Sequence, residues 1–498
     1  MLGRGYSPGS RLNTITYPSG HVIDLTSRHA DTKKIKDISV DFTHYSLTLI
    51  SNLGYNPFGG AREMDTGSGA SIYNEQSECA CLEKSNPGAS MEQTYTYDNN
   101  RNLTGIRGTR VSWYDQDFVY DNLDRLKGAV GKYGKIRYTY DRVGNRLTRK
   151  IGGLAETYGY YPGTNRLESI IGSETVNYAY DKNGNPTAIG NRAYEYNHNN
   201  RLVRVKQGGS TIADYTYNGL GQRVIKKTGD KQTVFLYDFD GNIIAESRPD
   251  GTFIAEYIYM GSTRLAKVDF KANDTPVYYY ANNYLGTPVL MTDERGAVVW
   301  EAEYMPFGEA NINPNSKLVN NFRFAGQYYD AETGLHYNYH RYYDPKSGRY
   351  LTPDPIWIFR GANLYLFASA NPIRFTDPYG LLSLGDIIGN KPGDIFTIGI
   401  SGGYWIGIGF SFDRIVMPSG EVDWFLTAGG GLSTPGVSLI VYRGRVRNEN
   451  DALDFCEEDV KGLSISGDIS LFIVGVEWIA ANILSDNNND ELIGLKGG

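Results

Sequence analysis

Between residues 94 and 260 apolar and polar positions alternate in short runs, each closed within a few residues by Asp, Asn or Gly. In KIRYTY (135–140), TVNYAY (175–180) and ADYTY (213–217), tyrosines stand at i and i+2. Alternate positions share one face of a strand, so these tyrosines form a stripe that neighbouring strands extend. Turn residues follow at once, as DRVGN (141–145), DKNGN (181–185) and DFDGN (238–242). Asn-Gly and Asp-Gly supply the positive φ that tight hairpins need. Glycine and Asx residues recur too often for helices, and the pattern predicts a row of hairpins in one long sheet.

The row repeats. Paired tyrosines recur at Tyr95/Tyr97, Tyr138/Tyr140, Tyr158/Tyr160, Tyr178/Tyr180, Tyr194/Tyr196, Tyr215/Tyr217 and Tyr257/Tyr259. Tyr120, Tyr140, Tyr160 and Tyr180 are spaced by 20 residues, the mark of stacked supersecondary units.

Composition sharpens this picture. Forty tyrosines against 19 phenylalanines suit sheets with one wet face, and 59 glycines suit many turns. At 498 residues the chain holds two or three units, and its net charge of -7 is ordinary for a soluble protein. Cys79, Cys81 and Cys456 are too few for a disulfide framework and read as free thiols. Arg4 and Arg11 flank no apolar run, so no signal peptide is expected and export implies a non-Sec route.

The repeats of 94–260 resemble the YD repeats of Rhs proteins and Tc-toxin C components, with weaker traces such as YNPFGG at 55–60. The stretches YLGTPVLMTDERGAVVWEAEYMPFGE (284–309), RFAGQYYDAETGLHYNYHRYYDPKSGRYLTPDP (323–355) and NLYLFASANPIRFTDPYGL (363–381) are similar to the Rhs-associated core domain. Asn283-Tyr284 and Trp357 depart from the family's usual residues. The resemblance implies an all-β fold: a coiled sheet of YD-repeat hairpins forming a hollow shell around a β-rich, or α+β, passenger. It also implies an aspartic-type autoprotease that cuts its own chain after the Asp-Pro-x-Gly-Leu motif. Carried over by position, Arg341, Asp354 and Asp377 match the functional residues, and the scissile bond joins Leu381 to Leu382.

Chemistry gives an independent reason to want this trio. Two close carboxyls that cannot both ionise share a proton and offer base and acid together, and a guanidinium can orient one of them. The bland reading is that Asp-Pro is a common turn pair. Asp330, Glu332 and Asp344 read as turn residues of the core sheet. His336, His340 and Glu332 mimic a metal set, but i and i+4 on a strand lie roughly 13 Å apart, too far for one ion. No cofactor and no metal is expected.

From Leu382 the texture changes. Residues 382–498 hold 7 Lys+Arg and 16 Asp+Glu, a charge of -9, leaving +2 for the first 381. Runs 395–412, 424–442 and 462–484 predict five to seven strands, with room for a short helix over 476–484. The uncharged first run suits a hairpin lining a barrel better than a membrane helix. No histidine follows His340, which removes histidine-dependent nuclease mechanisms, and the acidic balance argues against nucleic acid as a partner. Arg443, Arg445 and Arg447 alternate along one strand face, where they meet an anionic ligand or guard an edge.

The division expected is 1–93 degenerate or truncated repeats, 94–260 shell, 261–381 core and 382–498 effector. Two readings of the whole stand. One is a self-processing toxin carrier that retains its cleaved fragment, with an immunity protein, a delivery apparatus and a target membrane as partners. In it the effector acts in or on the target cell, by membrane disruption or as a cytosol-acting enzyme. The other is a YD-repeat surface or adhesion protein without toxic activity.

Overall fold

The computed structural model describes residues 3–6, 12–55, 61–76, 82–86, 91–108, 115–272, 274–355 and 363–381, and beyond them the backbone of several strands. A 30-stranded sheet runs from Gly3–Tyr6 to Ala310–Ile312. Each strand pairs antiparallel with its neighbours in sequence, as in Gly134–Tyr140 with Arg146–Ile151 and then Leu154–Tyr160. The sheet crosses 93/94 and 260/261 without interruption. The fold is all-β, and among the described residues there is no α-helix.

The repeated residues explain the repeated geometry. In the turn after Tyr140, Asp141 Oδ1 accepts the N–H groups of Val143 at 3.0 Å and Asn145 at 2.8 Å. Asn145 Nδ2 returns a bond to Asp141 Oδ2 at 2.9 Å, and Gly144 takes φ +89°. Asp181–Asn185 and Asp238–Asn242 repeat these contacts. The second tyrosine of each pair marks a register shift, as at Tyr140, Tyr160 and Tyr217, and so do Tyr120 and Tyr237, where phenylalanine takes the first place. There its hydroxyl donates to a carbonyl of the preceding hairpin: Tyr120 to Leu103, Tyr140 to Leu126 and Tyr160 to Arg146, at 2.6–2.8 Å. A bulge in every unit adds twist of one hand, so the sheet coils.

Coiling brings distant strands face to face. Ile23, Leu49 and Leu53 share a core with Ile258, Val268 and Val277. Across that contact Ser19 Oγ and His21 Nδ1 both meet the buried Glu256 carboxylate at 2.8 Å. Tyr95, Phe118 and Ile136 likewise pack with Phe307 and Ile373.

A second sheet, Tyr328–Asp330, Leu335–Asn338, Arg341–Asp344 and Arg349–Tyr350, lies against the coil. Its core includes Tyr337, Tyr342 and Leu351 packed with Tyr194, Tyr215 and Phe235. Asp330, expected as a turn residue, is fully buried and forms a forked pair with the equally buried Arg223. Lys226 Nζ adds a contact at 2.9 Å. Burial alone would raise the Asp330 pKa, but Arg223 and Lys226 overcome it and hold the carboxyl below its ordinary value. Tyr215, Phe235 and Tyr337 surround the guanidinium within 5.1 Å.

Residues 349–355 and 363–381 then reach several of the repeat turns. Arg349 donates to Asn165 O, Asn363 to Asn145 Oδ1, Tyr365 to Gly184 O, Asn371 to Asp124 O and Tyr379 to Asp240 O. Gly184 is required twice here: its φ is +86°, and a Cβ would fall 2.5 Å from the Tyr365 hydroxyl.

Beyond the core, Asp394–Val416 pairs antiparallel with Val422–Arg445, and Ser470–Val474 joins the second strand. Of the helix expected over 476–484, the described part Ile479–Ala481 is instead a strand paired with Gly494–Lys496. A short apolar run does not distinguish the two by periodicity, and pairing decides.

Candidate active site

Four pieces of backbone converge on one guanidinium. Leu335–Asn338 and Arg341–Asp344 form a hairpin whose turn holds Tyr339 at φ +55°. That left-handed residue is uncommon for a large side chain. Its ring packs on Gly241 and edge-on to Tyr379, so the coil and the chain end hold the turn together. The hairpin launches Arg341 inward, where it is 2% exposed, beside Asp354 at 2% and Asp377 at 1%.

Arg341 Nη2 lies 2.8 Å from Asp354 Oδ2 and 3.2 Å from Asp377 Oδ2. The two carboxylate oxygens are therefore within about 6 Å of each other. The same nitrogen is 3.3 Å from the Leu381 carbonyl oxygen, and Nε donates to Gly380 O at 2.5 Å. Asp377 Oδ1 accepts the Leu381 N–H at 2.9 Å, because the turn Asp-Pro-Tyr-Gly wraps the chain back over its own first residue. Gly380 permits this with φ +68°, where a Cβ would strike Asn338 O at 2.4 Å. All three residues singled out in the sequence thus come together: Arg341 and Asp377 contact Leu381 directly, and Asp354 joins them through Arg341, while Leu382 lies outside the described residues.

Two participants were not singled out. Tyr350 O–H donates to Asp377 Oδ2 at 2.7 Å, and its ring lies 3.5 Å beneath the Arg341 guanidinium carbon. Asn338 Nδ2 contacts both the Tyr350 oxygen and the Asp377 carbonyl oxygen at 2.8 Å. Only their places hinted at them, Asn338 three residues before Arg341 and Tyr350 four before Asp354 in SGRYLTPDP.

The histidines do not share a strand face as expected. His336 is on the first strand of the hairpin and His340 is in its turn. His336 is buried against Gln327 Oε1 at 3.1 Å, and burial, then the Arg323 charge, pushes its pKa down to about 3. His340 stands 3.4 Å from Arg201, and burial, then Arg201 and Arg341, lowers it to about 4. Among the described residues no three His, Cys, Asp or Glu cluster as metal ligands. Glu332 is a turn residue, as expected, and also reaches Lys226 at 3.4 Å. Asn283 serves its turn as an aspartate would, accepting Leu285 and Thr287 N–H at 3.0 and 3.1 Å. Tyr284 ties to Ile373 O at 2.7 Å. Cys79, Cys81, Cys456, Trp357, Arg447 and most of YNPFGG lie outside the described residues.

Residues 33–373 match the Teneurin YD-shell family. The chain is 31% identical over 274 residues to tRNA nuclease WapA of Bacillus subtilis, covering 52% of this chain and 12% of that protein. It is 29% identical over 429 residues to double-stranded DNA deaminase toxin A of Burkholderia cenocepacia, covering 76% and 28%. The fold is similar to the crystal structure of TcdB2-TccC3, with TM-score 0.65 and 19% identity over 76% of this chain and 22% of that one. The Tc holotoxin pore of Photorhabdus luminescens gives the same TM-score at 18% identity, covering 77% and 21%. The chain thus spans less than a third of the length of each of these proteins.

Proposed function

Because the chain belongs to the Teneurin YD-shell family and carries an Rhs-type core, we propose that it is a self-processing toxin carrier that cuts its own Leu381–Leu382 bond and releases residues 382–498 as effector. The observation that carries this reading is the Leu381 carbonyl held by Arg341, whose guanidinium also contacts two buried carboxyls.

The chemistry follows from the groups present. Arg341 draws electrons from the Leu381 carbonyl and holds the charge that develops on its oxygen. One carboxylate of the Asp354/Asp377 pair takes a proton from water, and the oxygen bonds to the carbonyl carbon. The other carboxyl gives its proton to the Leu382 nitrogen as the C–N bond breaks. Leu381 is left with a carboxylate and Leu382 with an amine. Substrate and catalyst are one chain, so each molecule reacts once.

In this reading the coiled sheet of 94–260 and the core of 261–381 hold the severed effector until delivery. A cognate immunity protein and a delivery apparatus complete the system. The toxin names of the relatives support the carrier role. For the effector the reading is membrane disruption, supported by the long antiparallel pair Asp394–Val416 and Val422–Arg445 and by the acidic, histidine-free composition. Expression of the whole chain tests the cut. Fragments of 381 and 117 residues are expected, and Asp354→Asn or Asp377→Asn leaves one full-length band. Unchanged cleavage in both variants refutes the mechanism.

A further inference from the structure

Donors meet both oxygens of Asp377. Oδ1 accepts from Leu381 N–H at 2.9 Å, and Oδ2 from Tyr350 O–H at 2.7 Å and from Arg341 at 3.2 Å. The direction of the Tyr350 bond is fixed by a third residue. The Asn338 side-chain amide faces the Asp377 carbonyl oxygen at 2.8 Å, and a carbonyl oxygen only accepts, so the atom facing it is the amide nitrogen. That nitrogen has two protons. One serves the Asp377 carbonyl and the other the Tyr350 oxygen, also at 2.8 Å. With its lone pair engaged, the phenol turns its own proton to Asp377 Oδ2. Tyr350 is 0% exposed and Asn338 4%, so water offers neither an alternative partner.

We infer that Tyr350, oriented by Asn338, is a positioning residue that aims the Asp377 carboxylate at the Leu381–Leu382 bond through a directed O–H donor. The inference rests on the hydrolytic reading of Asp377 given above. The Tyr350 ring also supports Arg341 from below at 3.5 Å, so one side chain sets two members of the site. The chain contributes both residues from the strands that flank Arg341 and precede Asp354, and they fold into place with the hairpin itself.

The test uses the full chain made by cell-free translation, with the 381- and 117-residue fragments followed in time. Tyr350→Phe keeps the ring and its contact with Arg341 but removes the donor. Cleavage is expected to slow by about tenfold to a hundredfold, the loss of one charge-assisted hydrogen bond. Introducing 4-aminophenylalanine at position 350 restores an N–H donor at the same place and recovers most of the rate. Introducing 4-methoxyphenylalanine, an acceptor only, does not. Each variant is also melted in the Asp354→Asn background, so that loss of fold is seen separately from loss of rate. A wild-type rate in Tyr350→Phe, or equal recovery by the amino and methoxy side chains, overturns the inference. Should Asp377→Asn stop cleavage while Tyr350→Phe does not slow it, only the role of Tyr350 falls. Should Asp377→Asn cleave normally, the hydrolytic reading falls with it.

Discussion

Asp330→Asn removes the carboxylate from the Arg223 pair and leaves a guanidinium buried at 0% exposure without its counter-charge. Breaking a buried pair from one side costs about 3–5 kcal/mol, because the remaining charge has lost both water and partner. Unfolding entropy is about 2.1 cal/mol/K per residue, or roughly 0.8 kcal/mol/K for the first 381 residues. The melting temperature should therefore fall by about 4–6 °C if coil and core unfold together. Differential scanning calorimetry of the full chain measures it. The double substitution Arg223→Met with Asp330→Leu removes both charges from the same aromatic surroundings and should recover most of the loss. Asp330→Asn melting within about 1 °C of wild type, or a double variant melting as low as the single one, would refute the claim that this pair pins the second sheet to the coil.

Other outcomes follow from neighbouring features. His336 titrates near 3 in the fold, against 6.5 when unfolded, so below 6.5 the unfolded chain binds the extra proton. His336 should then contribute a fall of about 1.4 kcal/mol per pH unit as pH drops from 6.5 toward 3, and urea midpoints should show His336→Gln flattening the stability slope by that amount. Gly184→Ala should be less stable than Gly152→Ala by about 1–3 kcal/mol in urea unfolding, since both sites have positive φ but only at Gly184 does a Cβ meet Tyr365. After cleavage both fragments should elute in one size-exclusion peak and part in denaturant; separation without denaturant contradicts retention. Released 382–498 should empty dye-filled liposomes while leaving added DNA and RNA intact, and intact liposomes with toxicity on cytosolic expression would point to an enzyme instead.

What was legible in the sequence is what local physics controls. The Asp-x-x-Gly-Asn turns and Tyr-x-Tyr pairs act within a hairpin, and the sheet forms as their spacing predicts. The second tyrosine's bond to a carbonyl 14 residues back, which accompanies the bulge, has no signature until the hairpin is built. Contacts between windings were illegible for the same reason. Arg223 and Asp330 are 107 residues apart, and Ser19 and Glu256 are 237 apart, so no window reveals either pair. Arg341, Asp354 and Asp377 were found through a family motif. Tyr350 was hidden among forty tyrosines, and its role depends on the direction of one hydrogen bond. The histidines were misplaced because Tyr339 adopts a left-handed turn that alternation alone does not announce.

The most direct test of hydrolysis at Leu381 is to synthesise the chain in oxygen-18 water and determine both new termini by mass spectrometry. The account predicts an N-terminus at Leu382 and one oxygen-18 atom in the Leu381 carboxylate, with neither product from Asp354→Asn or Asp377→Asn. A cut at another bond, or a Leu381 terminus carrying no oxygen from water, would contradict it.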